Sequence, residues 1–356
     1  MMQNQEWLPS IRVDASDPYY MGLQIGRRFQ HLIKSRISKD PFLHSQLLPF
    51  ASTHEGQQLI EAFSDSNKRH YPRYWYELQG LADGSCVSLL EVLLLNFRKE
   101  VLPFLPSNCT SQVCHGEECS DISVCSSVAV LGHNEDANVS VKGHVFLVHA
   151  SLPRQASFTA FTLAGELPSC AFGFNTHGVG FTLNAVPLSP QEVVAGGIGR
   201  NFISRDLLEA TCLESACERI QVKELALGHS YNIFDVGLRR IVNVETASKG
   251  RFSVKEIGAE PFFHANMYRH LEVPQVEDQS SIHRHARAAE LPKRTKEDFL
   301  SVLGDIEDQD YPLYMQGPLL QTLCTVLVDI DARKLTIYKE RPCSAECGMP
   351  ALLFDL

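Results

Sequence analysis

Residues 118–136 read ECSDISVCSSVAVLGHNED. Residues 128–132 form a short apolar run of strand character, and the segment 119–124 ahead of it begins with a cysteine. The run closes on His133, Asn134, Glu135 and Asp136, four polar side chains that are costly to bury unless paired. A strand ending in such a cluster, beside a strand headed by Cys119, is a candidate site. The plain alternative is an exposed hairpin end.

Outward from this stretch the pattern changes on either side. Upstream, residues 18–105 read mainly as helix. Asp17-Pro18 is a start signal, and Met21, Gly22, Ile25, Gly26, Phe29, Leu32 and Ile33 repeat at helical spacing. Gly22 and Gly26 share a face that permits close helix packing. Residues 74–81 and 89–102 read as further helices joined by a turn at 82–85. Downstream, short β-rich runs at 145–149, 158–163, 170–174 and 179–183 are separated by turn residues, with a hairpin turn at 175–178. A helix follows from Phe202, then strands at 231–236, 240–244 and 252–257. Helices come at 284–291 and 296–303, and strands at 322–329 and 334–339. No repeat of 20–50 residues is visible. Sheets with segregated helices predict an α+β layered domain.

The 356 residues are 44% hydrophobic, enough for a large core. Lysine and arginine number 32 against 42 acidic residues, a net charge of −10, which speaks against a nucleic-acid partner. The N-terminus lacks the apolar stretch of a secretory signal, and residues 89–97 are too short and too interrupted for a membrane span. A cytoplasmic protein without membrane or nucleic-acid partners is expected. The eleven cysteines then read as reduced thiols, with the question of whether one is a nucleophile. Gly196-Gly197-Ile198-Gly199 precedes a helix but lacks the Lys-Ser/Thr of a nucleotide loop. His264, His270, His283 and His285 lie in one stretch without a CxxC or HExxH spacing, and Cys343 and Cys347 have no second pair. No metal and no cofactor is expected.

Further strings carry a resemblance. They are residues 21–26 (MGLQIG), 77–84 (ELQGLADG), 131–137 (LGHNEDA), 173–175 (GFN) with Asn184, 264–266 (HAN), 281–287 and 322–329, taken in order and spacing. Over about residues 18–340 the chain resembles the N-terminal-nucleophile hydrolases related to acyl-CoA:6-aminopenicillanic acid acyltransferase. Within that group it looks most like the insect branch that hydrolyses β-alanyl amides of biogenic amines. The resemblance implies a four-layer αββα sandwich with a helical N-terminal segment. It also implies two segments of one integrated domain, residues 1–118 and 119–356, joined until the chain cuts itself before its nucleophile.

By resemblance the nucleophile is a cysteine followed by Ser/Thr at a set distance before the Asn of the 132–136 string. Cys119, followed by Ser120, matches in its separation from Asn134; Cys109 lies too far upstream and Cys125 too near. A freed α-amine, with a pKa of about 7.7–8.0, takes the thiol proton, so no separate histidine is needed. The matching positions make Asn266 the oxyanion donor and Asp136 the acid beside the new terminus. Asn134, Asn175 and Asn184 are candidate substrate-binding polarity, with hairpin or strand-end bonding as their alternative. Arg284 is expected in a surface ion pair, and His283 and His285 beside it on a solvated helix start. Two positions depart from the pattern: Glu118 stands where the relatives carry glycine, and Leu319 where the penicillin enzyme carries arginine. The expected activity is hydrolysis of a small N-acyl amine of the β-alanyl type. Acyl transfer and a non-catalytic binding protein are the alternatives.

Overall fold

The computed structural model describes residues 7–106, 119–168, 171–342 and 350–356. Cys109 and Glu118 lie outside them, as do Cys343 and Cys347.

The first strand, β1 (Ser10–Asp14), leads into helix α1 (Pro18–Lys39), which is capped by the Asp17 side chain. Helices α2 (His54–His70), α3 (Pro72–Ser85) and α4 (Leu89–Asn96) follow. The turn expected at 82–85 lies instead inside α3, which ends where Cys86 adopts a left-handed conformation (φ 53°). Ala82 continues the apolar face there, so burial outweighs the turn character of Asp83-Gly84-Ser85. The expected close packing of α1 is present, against α3. A Cβ on Gly22 would lie 2.0 Å from the Glu77 carbonyl oxygen, and one on Gly80 2.0 Å from that of Tyr19. Only glycine lets the two backbones approach this closely.

Next come β2 (Ser120–Cys125), β3 (Ala129–Asn138), β4 (Val145–Ser151), β5 (Phe158–Leu163), β6 (Phe172–Asn175) and β7 (Val179–Val186). Helices α5 (Arg200–Leu207) and α6 (Leu213–Ile220) precede β8 (Gly228–Asp235), β9 (Arg240–Ala247), β10 (Arg251–Glu256) and β11 (Phe262–His264). Helices α7 (Gln279–Glu290) and α8 (Lys296–Leu303) lead to β12 (Leu320–Asp329), β13 (Lys334–Tyr338) and β14 (Leu352–Asp355).

The strands form two sheets. One has the order β1-β4-β5-β6-β7-β8-β9-β10, the other β11-β2-β3-β12-β13-β14. All pairings are antiparallel except β1 with β4.

Alternate residues of a strand point to opposite faces, and here both faces are apolar. In β4, Val145 and Leu147 join a core with Leu131, Val326 and Ile337 of the other sheet. Phe146, Val148 and Ala150 join a second core with α1, α3, α4 and α5. In the smaller sheet, Ile122, Val130 and Leu327 pack on Ala288, Phe299 and Leu303 of α7 and α8. Helices thus cover the outer face of each sheet, and the sheets share an apolar interior. No helix among the described residues is long and apolar enough to cross a membrane.

Candidate active site

The hairpin of the opening stretch forms, with Ser120 opposite Asn134 and Asp121 opposite His133. It does not end at His133. Strand β3 runs on past the start of β2 and stays paired with β12, setting Asn134 opposite Thr325, Glu135 opposite Cys324 and Asp136 opposite Thr322. The four polar residues that could have closed an exposed hairpin are therefore buried in mid-sheet.

Each has partners that offset the cost of burial. Asn134 Nδ2 donates to the carbonyls of Leu303 (2.8 Å) and Leu313 (2.9 Å), and its Oδ1 accepts from Thr325 Oγ1. His133 lies between two carboxylates, with Nδ1 3.0 Å from Asp121 Oδ1 and Nε2 3.3 Å from Glu135 Oε2. Burial alone would lower the pKa of this imidazole. The Asp121 carboxylate first, then Glu135, outweigh burial and raise it to about 10. Asp136 Oδ1 accepts from Thr322 Oγ1, whereas its buried Oδ2 has no hydrogen-bond partner among the described residues. Burial pushes this carboxyl up to about 7, against the Thr322 hydrogen bond and the positive charge of Arg284.

Cys119 immediately precedes β2 and is 1% exposed. Its Sγ lies 3.5 Å from Glu135 Oε2 and 3.7 Å from the Asp136 carbonyl oxygen. Arg284 of α7 reaches the same point. Its Nη1 donates to the Cys119 carbonyl (3.1 Å) and Ser120 Oγ (3.0 Å), and its Nη2 to Asn266 Oδ1 (3.0 Å). The expectation of a surface ion pair for Arg284 is thereby corrected: the side chain is fully buried. The reason is the planar guanidinium fork, which serves several fixed acceptors at once. Asn266 is fixed at both ends, since its Nδ2 donates to the Ala185 carbonyl (2.8 Å).

The structure brings Cys119, Asp136 and Asn266 together around Arg284. The other asparagines lie elsewhere. Asn134 faces α8. Asn184 Nδ2 donates to the Ala265 carbonyl (3.2 Å), next to Asn266, and its buried Oδ1 has no partner among the described residues. Asn175 donates to the carbonyls of Leu208 and Ala210 and accepts from the His177 amide, the turn bonding weighed as its alternative. Cys125 is at the far end of β2, about 20 Å away at strand rise, with Sγ against the Arg239 carbonyl. The four histidines do not converge: His264 and His270 contact Glu245, His283 contacts Asp308, and the His285 ring stands edge-on to Phe263. His285 is mostly buried rather than solvated, and burial lowers its pKa to about 3.

A cavity of about 310 Å³ opens beside Asn266 and Ala137. Its lining includes the apolar Leu163, Val186 and Leu188. It also includes Glu166, ion-paired with Arg36 at 2.6 Å and Arg200 at 3.9 Å. This size suits a small molecule with a few polar groups.

The family model for acyl-coenzyme A:6-aminopenicillanic acid acyl-transferase matches residues 125–343, more than half of the chain. The chain belongs to this family. It is 25% identical to the beta-alanyl-dopamine/carcinine hydrolase of Drosophila melanogaster over 94% of both chains. It is also 27% identical to the acyl-coenzyme A:6-aminopenicillanic-acid-acyltransferase 40 kDa form of Emericella nidulans, over 47% of this chain and 44% of that one. Enzymes of amide hydrolysis and acyl transfer therefore frame its activity. The family match contains Asp136, Asn266 and Arg284 and begins shortly after Cys119. Arg284 is the residue of this group whose role sequence reasoning missed. The signal available was the Ser-x-x-Arg string from Ser281, whose serine sits over the Asp278 helix cap and accepts from the Asn266 amide.

Proposed function

We propose that this family member is a cysteine amidohydrolase of the self-processing N-terminal-nucleophile class, cleaving the amide of a small N-acyl amine of the β-alanyl type. The two sheets with helices on both outer faces support the αββα layering of that class. The observation that carries the reading is Asp136: a buried carboxylate oxygen without a described partner, on the residue whose carbonyl touches Cys119 Sγ. Such an oxygen suits the ammonium of a Cys119 that has become a chain terminus.

In the processing step Cys119 Sγ attacks the carbonyl of residue 118, the acyl group moves from nitrogen to sulfur, and water releases the upstream chain. The freed amine then takes the thiol proton, and the thiolate attacks the substrate amide. Asn266 Nδ2 uses one N–H on Ala185 and has a second for the tetrahedral oxyanion. The leaving amine takes the proton, and water hydrolyses the acyl-enzyme. The two segments, 1–118 and 119–356, would remain one body. Helices α1 to α4 pack on the larger sheet, and β1 pairs with β4.

Acyl transfer to an amine is the second reading, favoured by the family name. Leu319, 61% exposed just before β12, offers no cation there for an anionic acyl carrier, which favours hydrolysis. N-terminal sequencing of the denatured protein should give a fragment starting at Cys119. Cys119→Ala should stay full-length and inactive on N-β-alanyl amines. A Cys119→Ala protein that still cuts itself and turns over substrate would remove Cys119 from the mechanism. Product ratios with and without an added acceptor amine separate water from transfer.

A further inference from the structure

The proposed mechanism gives no task to His133, yet this ring sits within reach of the nucleophile. Cys119 Sγ, a ring nitrogen of His133 and a Glu135 carboxylate oxygen all lie within 4.8 Å of one another, and all three residues are buried. The Sγ to Oε2 separation is 3.5 Å and the Nε2 to Oε2 separation 3.3 Å. A tetrahedral zinc ion has bonds of about 2.3 Å to sulfur and 2.0–2.2 Å to nitrogen and oxygen, so the edges between its ligands are roughly 3.3–3.7 Å. Two of the three edges are already at that length. A thiolate, an imidazole and a carboxylate also form a donor set suited to zinc, borderline between hard and soft.

A second feature points the same way. The other nitrogen of the ring, Nδ1, is 3.0 Å from Asp121 Oδ1, and Asp121 Oδ1 in turn accepts from Thr182 Oγ1 at 2.6 Å. A carboxylate on the far nitrogen is the arrangement that orients a metal-binding histidine and directs Nε2 at the ion.

We infer that Cys119, His133 and Glu135 form a zinc site that takes up the sulfur of Cys119 and so reversibly silences it. On binding, the sulfur lone pair goes to the metal and the protons of Sγ and Nε2 go to solvent. The fourth position is left to water. The silencing rests on the proposed role of Cys119; the binding does not.

The test uses the whole protein as purified, with both segments present, stripped with a chelator. Zinc titrated against a chromophoric competitor should bind one ion per chain. Cobalt(II) should give the near-ultraviolet absorption of a thiolate–metal bond. Cys119→Ser should lose that band and Cys125→Ser keep it. Asp121→Asn, which leaves all three ligands in place, should weaken zinc binding by about 10–100-fold; His133→Asn should weaken it further. Turnover should fall as zinc fills the site and return with chelator. A band that survives Cys119→Ser, or zinc affinity unchanged in both Asp121→Asn and His133→Asn, overturns the site. Zinc bound as described to a protein with no hydrolysis in either state would leave the site standing and remove the proposed function instead.

Discussion

Replacing Arg284 by methionine tests the centre of the site. The side chain is fully buried, and its guanidinium donates to the Cys119 carbonyl, Ser120 Oγ and Asn266 Oδ1 at 3.0–3.1 Å. Methionine refills much of the volume but donates nothing. The buried Cys119 carbonyl and Asn266 Oδ1 each lose this charged donor, at about 1–3 kcal/mol each, or about 2–6 kcal/mol together. Asn266 also loses what fixes its amide orientation. An oxyanion donor left unaimed costs about 10²–10³ in turnover. Arg284→Lys should fall between wild type and methionine, because an ammonium restores the charge near Asp136 but not the fork. Urea unfolding at constant m-value reads the stability, and kcat/KM on an N-β-alanyl amine reads the site. A loss under about 1 kcal/mol with kcat/KM within threefold of wild type would show that the buried Arg284 holds neither the fold nor the site together. A stability loss without a turnover loss would leave it a purely structural residue.

Asp136→Asn keeps the Thr322 hydrogen bond but not the negative charge, so kcat/KM should fall by about 10² or more. Circular dichroism melts run alongside separate this from unfolding, and near-normal turnover would dismiss the ammonium-holding role. Glu245 accepts from His264 Nε2 and from the backbone amides of Arg269, His270 and Leu271. Burial pushes its carboxyl up, but the His264 hydrogen bond and charge and these amides bring it below the ordinary glutamate value. Its stabilisation is therefore present above the ordinary pKa of about 4.3 and lost as pH falls through the lower folded value. Glu245→Gln should lower stability by about 2–3 kcal/mol at pH 7 and flatten the acid limb of a stability–pH curve; an unchanged acid limb would refute this. Gly80→Ala forces a Cβ to within 2.0 Å of the Tyr19 carbonyl and should part α1 from α3. A loss of at least about 1–3 kcal/mol is expected in urea melts, and a neutral result would deny the backbone contact.

The elements legible in the sequence are those whose signal is local. The β-rich run of 158–163 reappears as β5 with the same bounds, and the helix expected at 296–303 as α8. Segments whose pairing partner is distant read as shorter than they are, or not at all. Strand β1 has no signal of its own until β4 lies beside it. Strand β3 reads as ending at its first polar residue, because the pairing beyond that point comes from β12, far along the chain.

The same division holds at the site. By itself the sequence set Cys119 and the polar cluster from His133 to Asp136 at the open end of one hairpin, because a hairpin brings near neighbours in the chain together. It also carried the family through its ordered strings. Only the tertiary structure decided that Arg284, remote from Cys119 in the chain, is buried against it. The structure also turned Asn175 to a turn and Asn134 to α8, and folded His133 and Glu135 toward the thiol. A side chain's polarity is written in the sequence, but its partner is chosen by the packing of sheets and helices, and a buried polar group is tolerable only where that packing supplies one.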